Sequence, residues 1–307
     1  MKLRILSLIL VLALLMSCAA SAEDAVRIGV MSGPTGMGMA QLMSAENADY
    51  TFEIYSAPTN ATADLASGAL DMLCLPTNTA ANLACSKDDF VTVLAVNCLG
   101  SLYLLTDADT TVTSVADLDG QTVWASVATS TTGPILEHIF SENGVQVNIE
   151  WEADHDALIA RLSQGNIHIA VLPEPKATVA MAQNEGWSIA LNISEEWDRV
   201  CELQLPMGCI VVTNSFLAER PEAVARFLTD YSASIAFIGA EENLDASADM
   251  IANAGVLPNA GVAKKALSHL YGSIVCLTGN EMKAALQGFY EIIGQQQPGD
   301  AFYYGAE

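Results

Sequence analysis

Four short loops carry the chemistry this chain has to offer. Ser32-Gly-Pro-Thr-Gly36 and Thr129-Ser-Thr-Thr-Gly133 are small and hydroxyl-rich, and each leads from a β-branched run into a helical pattern. The unpaired N–H groups of a helix start hold polar or anionic atoms there, and short side chains let a ligand approach that backbone closely. Pro76-Thr-Asn78 and Pro173-Glu-Pro175 end two further apolar runs in the same way. The candidate ligand contacts are therefore Ser32, Gly33, Thr35, Gly36, Met37, Thr77, Asn78, Thr129, Ser130, Thr131, Thr132 and Glu174. The chemistry is reversible capture through hydrogen bonds. For any one Ser or Thr the competing role is a plain helix cap. Glu174 either accepts from a ligand amine or caps the helix that follows it.

Constellations for covalent chemistry are weak. Gly33-Pro-Thr-Gly-Met-Gly38 lacks the terminal Gly-Lys-Ser/Thr of a phosphate loop, and no G-x-S-x-G elbow occurs. His138, His155, His168 and His269 are scattered; His155, between Asp154 and Asp156, is either a base or part of a surface cluster at a helix start. No CxxC or His/Cys cluster occurs, so no zinc is expected. With the covalent constellations this weak, the expectation is no other metal, no cofactor and no enzyme activity. Trp124, Trp151, Trp187 and Trp197 either stack a ligand ring or fill cores.

The four loops belong to a repeat. Residues 26–76 align without a gap on residues 123–173, at a constant offset of 97, with 11 of 51 positions identical. Leu65-Ala-Ser-Gly-Ala-Leu-Asp-Met-Leu-Cys-Leu-Pro76 meets Leu162-Ser-Gln-Gly-Asn-Ile-His-Ile-Ala-Val-Leu-Pro173. Two copies are too few for a solenoid. They fit two lobes on one plan with a cleft between them, although any two βαβαβ segments share some of this pattern. Strands alternate with helices up to about residue 210, which predicts an α/β chain with parallel-rich sheets flanked by helices. After Ile210-Val-Val-Thr213 the pattern is helical to the end, a tail that completes the first lobe. The expected organisation is lobe 1 at 26–104 plus 211–307 and lobe 2 at 105–210. The chain then crosses twice, near Leu99–Asp107 and Leu205–Ile210, and two crossings make a hinge. In open parallel sheets ligands collect beyond the carboxyl ends of the strands, where the four loops stand.

The N-terminus reads as an export signal. Met1-Lys-Leu-Arg4 is basic, Ile5–Met16 is an apolar run too short to span a bilayer, and Leu15-Met-Ser-Cys18 resembles a lipobox. Residues 1–17 are then the signal peptide, Cys18 the lipidated first residue and 18–25 a short linker. Cleavage after Ala20 or Ala22 is the alternative. The expected location is the outer face of the bacterial cytoplasmic membrane, held there by the lipid. Without residues 1–17 there remain 10 Lys and Arg against 36 Asp and Glu, a net charge of −26. That excludes nucleic acid, whose phosphates need clustered cations. Of the cysteines beyond Cys18, only Cys201 and Cys209 flank one short loop, and they are the one candidate disulfide.

Ile28-Gly-Val-Met-Ser-Gly-Pro-Thr-Gly-Met-Gly-Met39, Val115-Ala-Asp-Leu-Asp-Gly-Gln-Thr-Val123, Leu172-Pro-Glu-Pro175, Pro206-Met-Gly-Cys209 and Asp300-Ala-Phe-Tyr-Tyr304 together resemble the solute-binding proteins of ABC importers. The resemblance is to the group that includes nitrate, sulfonate, taurine and thiamine-pyrimidine binders, and it covers essentially the whole mature chain. It implies a type II periplasmic-binding-protein fold and a monomer that closes on one small organic molecule. The implied partner is an ABC permease. Glu174 tilts the expected solute toward a neutral or amine-bearing, partly aromatic molecule. Two other readings stay open: an enzyme on the same fold, similar to those of menaquinone biosynthesis, and an adhesive surface lipoprotein.

Overall fold

Apolar runs between polar, helix-forming segments can bury themselves only by pairing, and that builds two sheets. The computed structural model describes residues 25–44, 49–87, 89–128 and 130–307. The signal peptide, Cys18, the remainder of the linker to residue 24 and Thr129 lie outside the described residues. In chain order the elements are β1 (Val26–Met31), α1 (Pro34–Met37), α2 (Ala40–Ser44), β2 (Tyr50–Tyr55), α3 (Pro58–Ser67), β3 (Met72–Pro76), α4 (Thr77–Ser86), β4 (Val91–Leu99) and β5 (Leu102–Thr106). There follow β6 (Thr122–Ser126), α5 (Thr132–Glu142), β7 (Asn148–Glu152), α6 (His155–Leu162), β8 (Ile169–Pro173), α7 (Lys176–Gln183), β9 (Ser188–Asn192) and α8 (Ile193–Cys201). The rest comprises β10 (Pro206–Thr213), α9 (Asn214–Glu219), α10 (Pro221–Ile238), α11 (Leu244–Asn253), α12 (Ala260–His269), β11 (Ile274–Leu277) and α13 (Gly279–Ile292).

The repeat appears element by element. An offset of 97 carries β3, Met72–Pro76, onto β8, Ile169–Pro173, without remainder, and brings β1, β2, α3 and α4 within two residues of β6, β7, α6 and α7 at their starts. The first sheet runs β11-β4-β10-β3-β1-β2 and the second β7-β6-β8-β5-β9. In each, three parallel strands of the repeat are followed by an antiparallel neighbour: β10 beside β3, and β5 beside β8. The sheets are thus mixed, with parallel pairing confined to one half of each. Helical crossovers dictate that half; the other begins with one strand arriving from the opposite lobe, β10 in the first sheet and β5 in the second.

Those arriving strands also set the boundaries. β5 pairs along its whole length with β8 and β9, and β10 with β3 and β4. The expected limits at 104/105 and 210/211 fall inside them. Sheet membership puts Leu102–Leu104 with the second sheet and Pro206–Ile210 with the first. The chain changes sheets at Gly100-Ser101 and again at 202–205, and the two crossings are tied together: the Gly100 N–H donates to the Leu205 carbonyl at 2.7 Å. Gly100 has φ +56°, and a Cβ there would lie 2.1 Å from Ser194 Oγ, so only glycine fits.

Strands β3, β4 and β5 are buried on both faces save Pro76, which explains their unbroken apolar runs. One core cluster reaches across the hinge, holding Leu73 and Val96 together with Leu104, Val123 and Ile135. Trp197 of α8 meets Phe289 of α13 edge-on at 5.7 Å in that seam. Separate clusters fill the outer face of each sheet. The tail packs on the first sheet and includes one more strand, β11, paired with β4.

The candidate disulfide does not form. Cys201 and Cys209 are both free thiols. Cys209 is fully buried inside β10, with its thiol donating to the Leu75 carbonyl at 3.6 Å, while Cys201 ends α8 on the far side of the crossing. The loop between them is short in sequence, yet its ends belong to different lobes.

Candidate functional site

The repeat places four loops at the carboxyl ends of β1, β3, β6 and β8, and between them lies a cavity of about 670 Å³. Ser32, Gly33 and Thr35 line it from the first lobe, as does Asn78 at the start of α4. Ser130, Thr131, Thr132 and Glu174 line it from the second. Eight of the twelve expected contacts thus meet at one cavity; Thr129 lies outside the described residues.

Gly36, Met37 and Thr77 do not line it. Helix α1 is a single turn, so half of it must face the sheet: Met37 is fully buried, and a Cβ on Gly36 would lie 2.2 Å from the Met31 carbonyl. Thr77 is a buried strut. Its hydroxyl donates to the Pro206 carbonyl and its own carbonyl accepts from the Tyr290 hydroxyl, both at 2.8 Å. Beneath the first loop, fully buried Asn97 donates from Nδ2 to the Thr35 carbonyl at 2.8 Å and holds α1 to β4.

Helix capping does not absorb the hydroxyls. At the starts of α3, α4, α5 and α7 the N-cap residue makes no side-chain cap bond, although the Glu174 carboxylate takes the Thr178 N–H in the first turn of α7. Ser130 Oγ takes the Thr132 N–H at 3.3 Å, the one such contact at the start of α5. Firm caps at the cavity stand on α6, where Asp154 accepts from the Ala157 N–H at 2.8 Å, and on α12, where Asn259 accepts from the Val262 N–H at 2.9 Å. Uncapped N–H groups and their dipoles give this face of the cavity a positive bias.

Glu174 is not a free carboxylate waiting for an amine. Its side chain is fully buried, accepts from the Thr178 hydroxyl at 3.0 Å and the Thr178 N–H at 3.2 Å, and pairs closely with His269 Nδ1 of α12. His269 belongs to the first lobe. The Tyr103 hydroxyl of β5 donates to the His269 carbonyl at 2.6 Å, a second contact between lobes at the same place. Glu174 both lines the cavity and clamps its two sides.

Several lining residues escaped the sequence reading. Ser56 precedes α3 and Pro58 opens it, Val256, Leu257 and Pro258 precede α12, and Cys98, Ser101, Leu102 and Met207 form the hinge side. Ser56 and Pro58 had a signal, since the offset of 97 maps them near His155; the 256–258 loop has no repeat partner. Burial pushes the Cys98 thiol up to about 12, so it is an unreactive wall. His155, at the first position of α6, lines the cavity with Ser126 Oγ 2.5 Å from its Nδ1. Burial, helped by Lys176, holds its imidazole below the ordinary value. Lys176 also lines the cavity, and its Nζ lies 2.5 Å from the exposed Asp156 carboxylate.

No Phe, Tyr or Trp is among the described lining residues. Trp197 is core and Trp124 lies under the Arg161 guanidinium, 3.9 Å from the ring centre, so neither is a stacking platform for a ligand. Among the described residues no group of His, Cys, Asp and Glu is placed to hold a metal. A smaller cavity of about 290 Å³, between Ile238–Leu244 and Leu267–Ile274, lies wholly in the first lobe and uses none of the four loops.

Solved structures share this architecture. An ABC transporter protein from Parabacteroides distasonis aligns over 91% of this chain and 98% of its own, with TM-score 0.76 and 16% identity. The periplasmic aliphatic sulphonate binding protein SsuA of Escherichia coli aligns over 90% and 93%, with TM-score 0.68 and 19% identity. The alkanesulfonate-binding protein SsuA of Xanthomonas axonopodis pv. citri, bound to MOPS, aligns over 92% and 98%, with TM-score 0.64 and 14% identity. At such identities the likeness establishes the fold, the two-lobed type II periplasmic-binding-protein architecture. No curated protein matches the chain in sequence. The model of one family, described as NMT1/THI5 like, matches residues 45–242, more than half of the 307 residues, and the chain belongs to that family.

Proposed function

We propose that this protein is the extracytoplasmic solute-binding subunit of an ABC importer. It captures one small organic molecule between its lobes and delivers it to a permease, and it performs no catalysis. The observation that carries the reading is the cavity itself: repeat-related loops, at equivalent strand ends of two lobes, face one space of about 670 Å³. A volume of that order suits a small solute, and a site between lobes couples its capture to their closure. The structural neighbours described as binding components of import systems support the same role. Two of the lining groups that could do covalent chemistry are not available for it: Cys98 is held as a thiol by burial, and Glu174 is spent on Thr178 and His269. The ligand contacts we assign are Ser32, Gly33, Thr35, Asn78, Ser130, Thr131, Thr132 and Glu174. Anchoring through a lipid on Cys18, and action as a monomer, complete the proposal.

Thermal-shift screening of the purified mature protein tests it. A solute at 100 times its dissociation constant adds about 2.7 kcal/mol to stability, a rise in melting temperature of several degrees. Expected is one chemically coherent class of small molecules that shifts melting. A broad panel of acids, amines, vitamins and amino acids that leaves melting untouched, with retained adhesion to surfaces instead, would replace the reading with a structural role. Changing Cys18 to Ala should release the protein from membranes; a Cys18→Ala protein still held there unprocessed, or a wild type secreted beginning at Glu23, rejects the anchor.

A further inference from the structure

The charged groups of the cavity are unevenly shared. Among the described lining residues, those with a basic side chain, His155 and Lys176, stand on the second lobe, and the first-lobe wall offers Ser32, Thr35, Ser56 and Asn78 without a charged group. The same second-lobe wall carries the start of α5, where the N-cap Thr131 makes no cap bond and the first N–H, of Thr132, meets Ser130 Oγ at 3.3 Å. Glu174, the one lining carboxylate, is turned onto Thr178 and His269. The apolar lining is aliphatic. A solute that fits this distribution is compact and not aromatic, with one acidic end.

His155 is built to change its charge in place. Its Nδ1 faces the Ser126 hydroxyl at 2.5 Å, and a hydroxyl donates to a neutral ring or accepts from a protonated one, so the contact survives either state. Nε2 has no hydrogen-bond partner among the described residues. The charged groups facing the ring are Asp154 and Asp156 at the start of its own helix and Lys176 from α7. Asp156 is paired with Lys176, Asp154 caps α6, and on the neighbouring strand β7 Glu152 is taken by Arg161. Strand β6 presents the neutral Ser126, and the facing lobe no charged lining residue.

We propose that His155 binds the acidic end of the solute and takes up a proton as it does so, so that an organic anion lies with its acid group on the second lobe between His155, Lys176 and the start of α5. This rests on the solute-binding reading and assigns its ligand class, orientation and pH dependence. In the free protein burial and Lys176 keep the ring neutral at neutral pH. An anion against Nε2 favours the imidazolium, so bound protein holds one proton more, and affinity rises as the solution is acidified.

The test uses the mature protein with propanesulfonate and butyrate as acidic probes, and butyramide and butylamine as neutral and cationic counterparts. Calorimetry between pH 8 and 6, in two buffers of different ionisation enthalpy, reads affinity and proton uptake together. Expected is binding of an acid whose dissociation constant falls by up to about tenfold per pH unit, with uptake of up to one proton. His155→Gln should flatten that slope and abolish the uptake. The ligand-free protein behaves oppositely. A His held below its ordinary value makes the unfolded state bind more protons, so stability falls on acidification, and His155→Gln should remove that part of the fall. A folded His155→Gln protein that keeps the wild-type slope overturns the proposal, as does an acid that binds with no slope. Butyramide or butylamine binding as well as the acids sinks the proposal and leaves the solute-binding reading standing. If none of the four binds, the proposal falls, and the broader screen alone decides the reading beneath it.

Discussion

At the scale of single residues, the wall of the cavity divides into groups that meet solvent and groups already spent. Glu174 is the clearest of the second kind. A buried carboxylate needs hydrogen-bond partners to offset its lost hydration, and Thr178 and His269 are those partners. Replacing Glu174 by Gln, or His269 by Ala, should each lower stability by roughly 1–3 kcal/mol. The double variant should lose less than the sum, with a coupling of roughly 0.5–3 kcal/mol in a thermal or urea cycle. Strict additivity would mean that the pair does not exist in solution. The carboxylate was visible in the sequence as a polar group at a strand end; its partner was not. Glu174 and His269 are 95 residues apart, and nothing local to either signals the other. The same holds for Thr77: its type marked a polar loop, but its direction depends on Pro206, which arrives from the other lobe. His155 lay in view with its two flanking aspartates, and only the position of Ser126 turned it from surface cluster to lining residue.

At the scale of elements, legibility followed the repeat. Where the two copies align, strand limits and loop positions could be read to within about two residues, because one hydrophobic pattern had to satisfy two homologous sheets. Outside the repeat that support vanishes. β5 and β10 are mostly apolar runs that end in Thr, which is compatible with either sheet, and β11 is a four-residue run between helices that periodicity cannot distinguish from a helix end. The paired loops make a direct prediction. Thr131, half-buried at the start of α5, should tolerate Trp with a stability change within about 0.5 kcal/mol, and the ring should fill the cavity and weaken solute binding at least tenfold. Thr132 is less suited to this test, being 8% exposed and partly inside the helix packing. Normal affinity in a well-folded Thr131→Trp protein would place the site elsewhere. The crossing offers a second prediction. Gly100→Ala forces a Cβ against Ser194 and holds a side chain at φ +56°, so it should cost about 1–3 kcal/mol in melting experiments. Gly100→Ala combined with Ser194→Gly should recover the steric share of that loss while keeping the conformational share.

At the scale of the molecule, the lobes are joined along two sides that differ in kind. On the hinge side an apolar seam, with Trp197 against Phe289 and a backbone bond from Gly100 to Leu205, makes the join permanent, since opening it would expose core. On the α12 side the join consists of polar contacts, Glu174 with His269 and Tyr103 with the His269 carbonyl. Polar contacts can be exchanged for water at small net cost, so the second side is where opening is expected. A solute between the lobes and the Glu174–His269 pair then stabilise the same closed arrangement, and each makes the other easier to form. It follows that His269→Ala should shift ligand-free protein toward an open form, with a radius of gyration larger than that of the wild type in small-angle scattering. Saturation with a solute should bring both proteins to one common, smaller value. Affinity should drop in His269→Ala by the factor that the lost contact contributed to closure, although His269 itself is not a lining residue of the cavity. Equal radii for the free proteins, with unchanged affinity, would show that the contact accompanies closure without driving it and would leave the hinge seam alone in setting the shape.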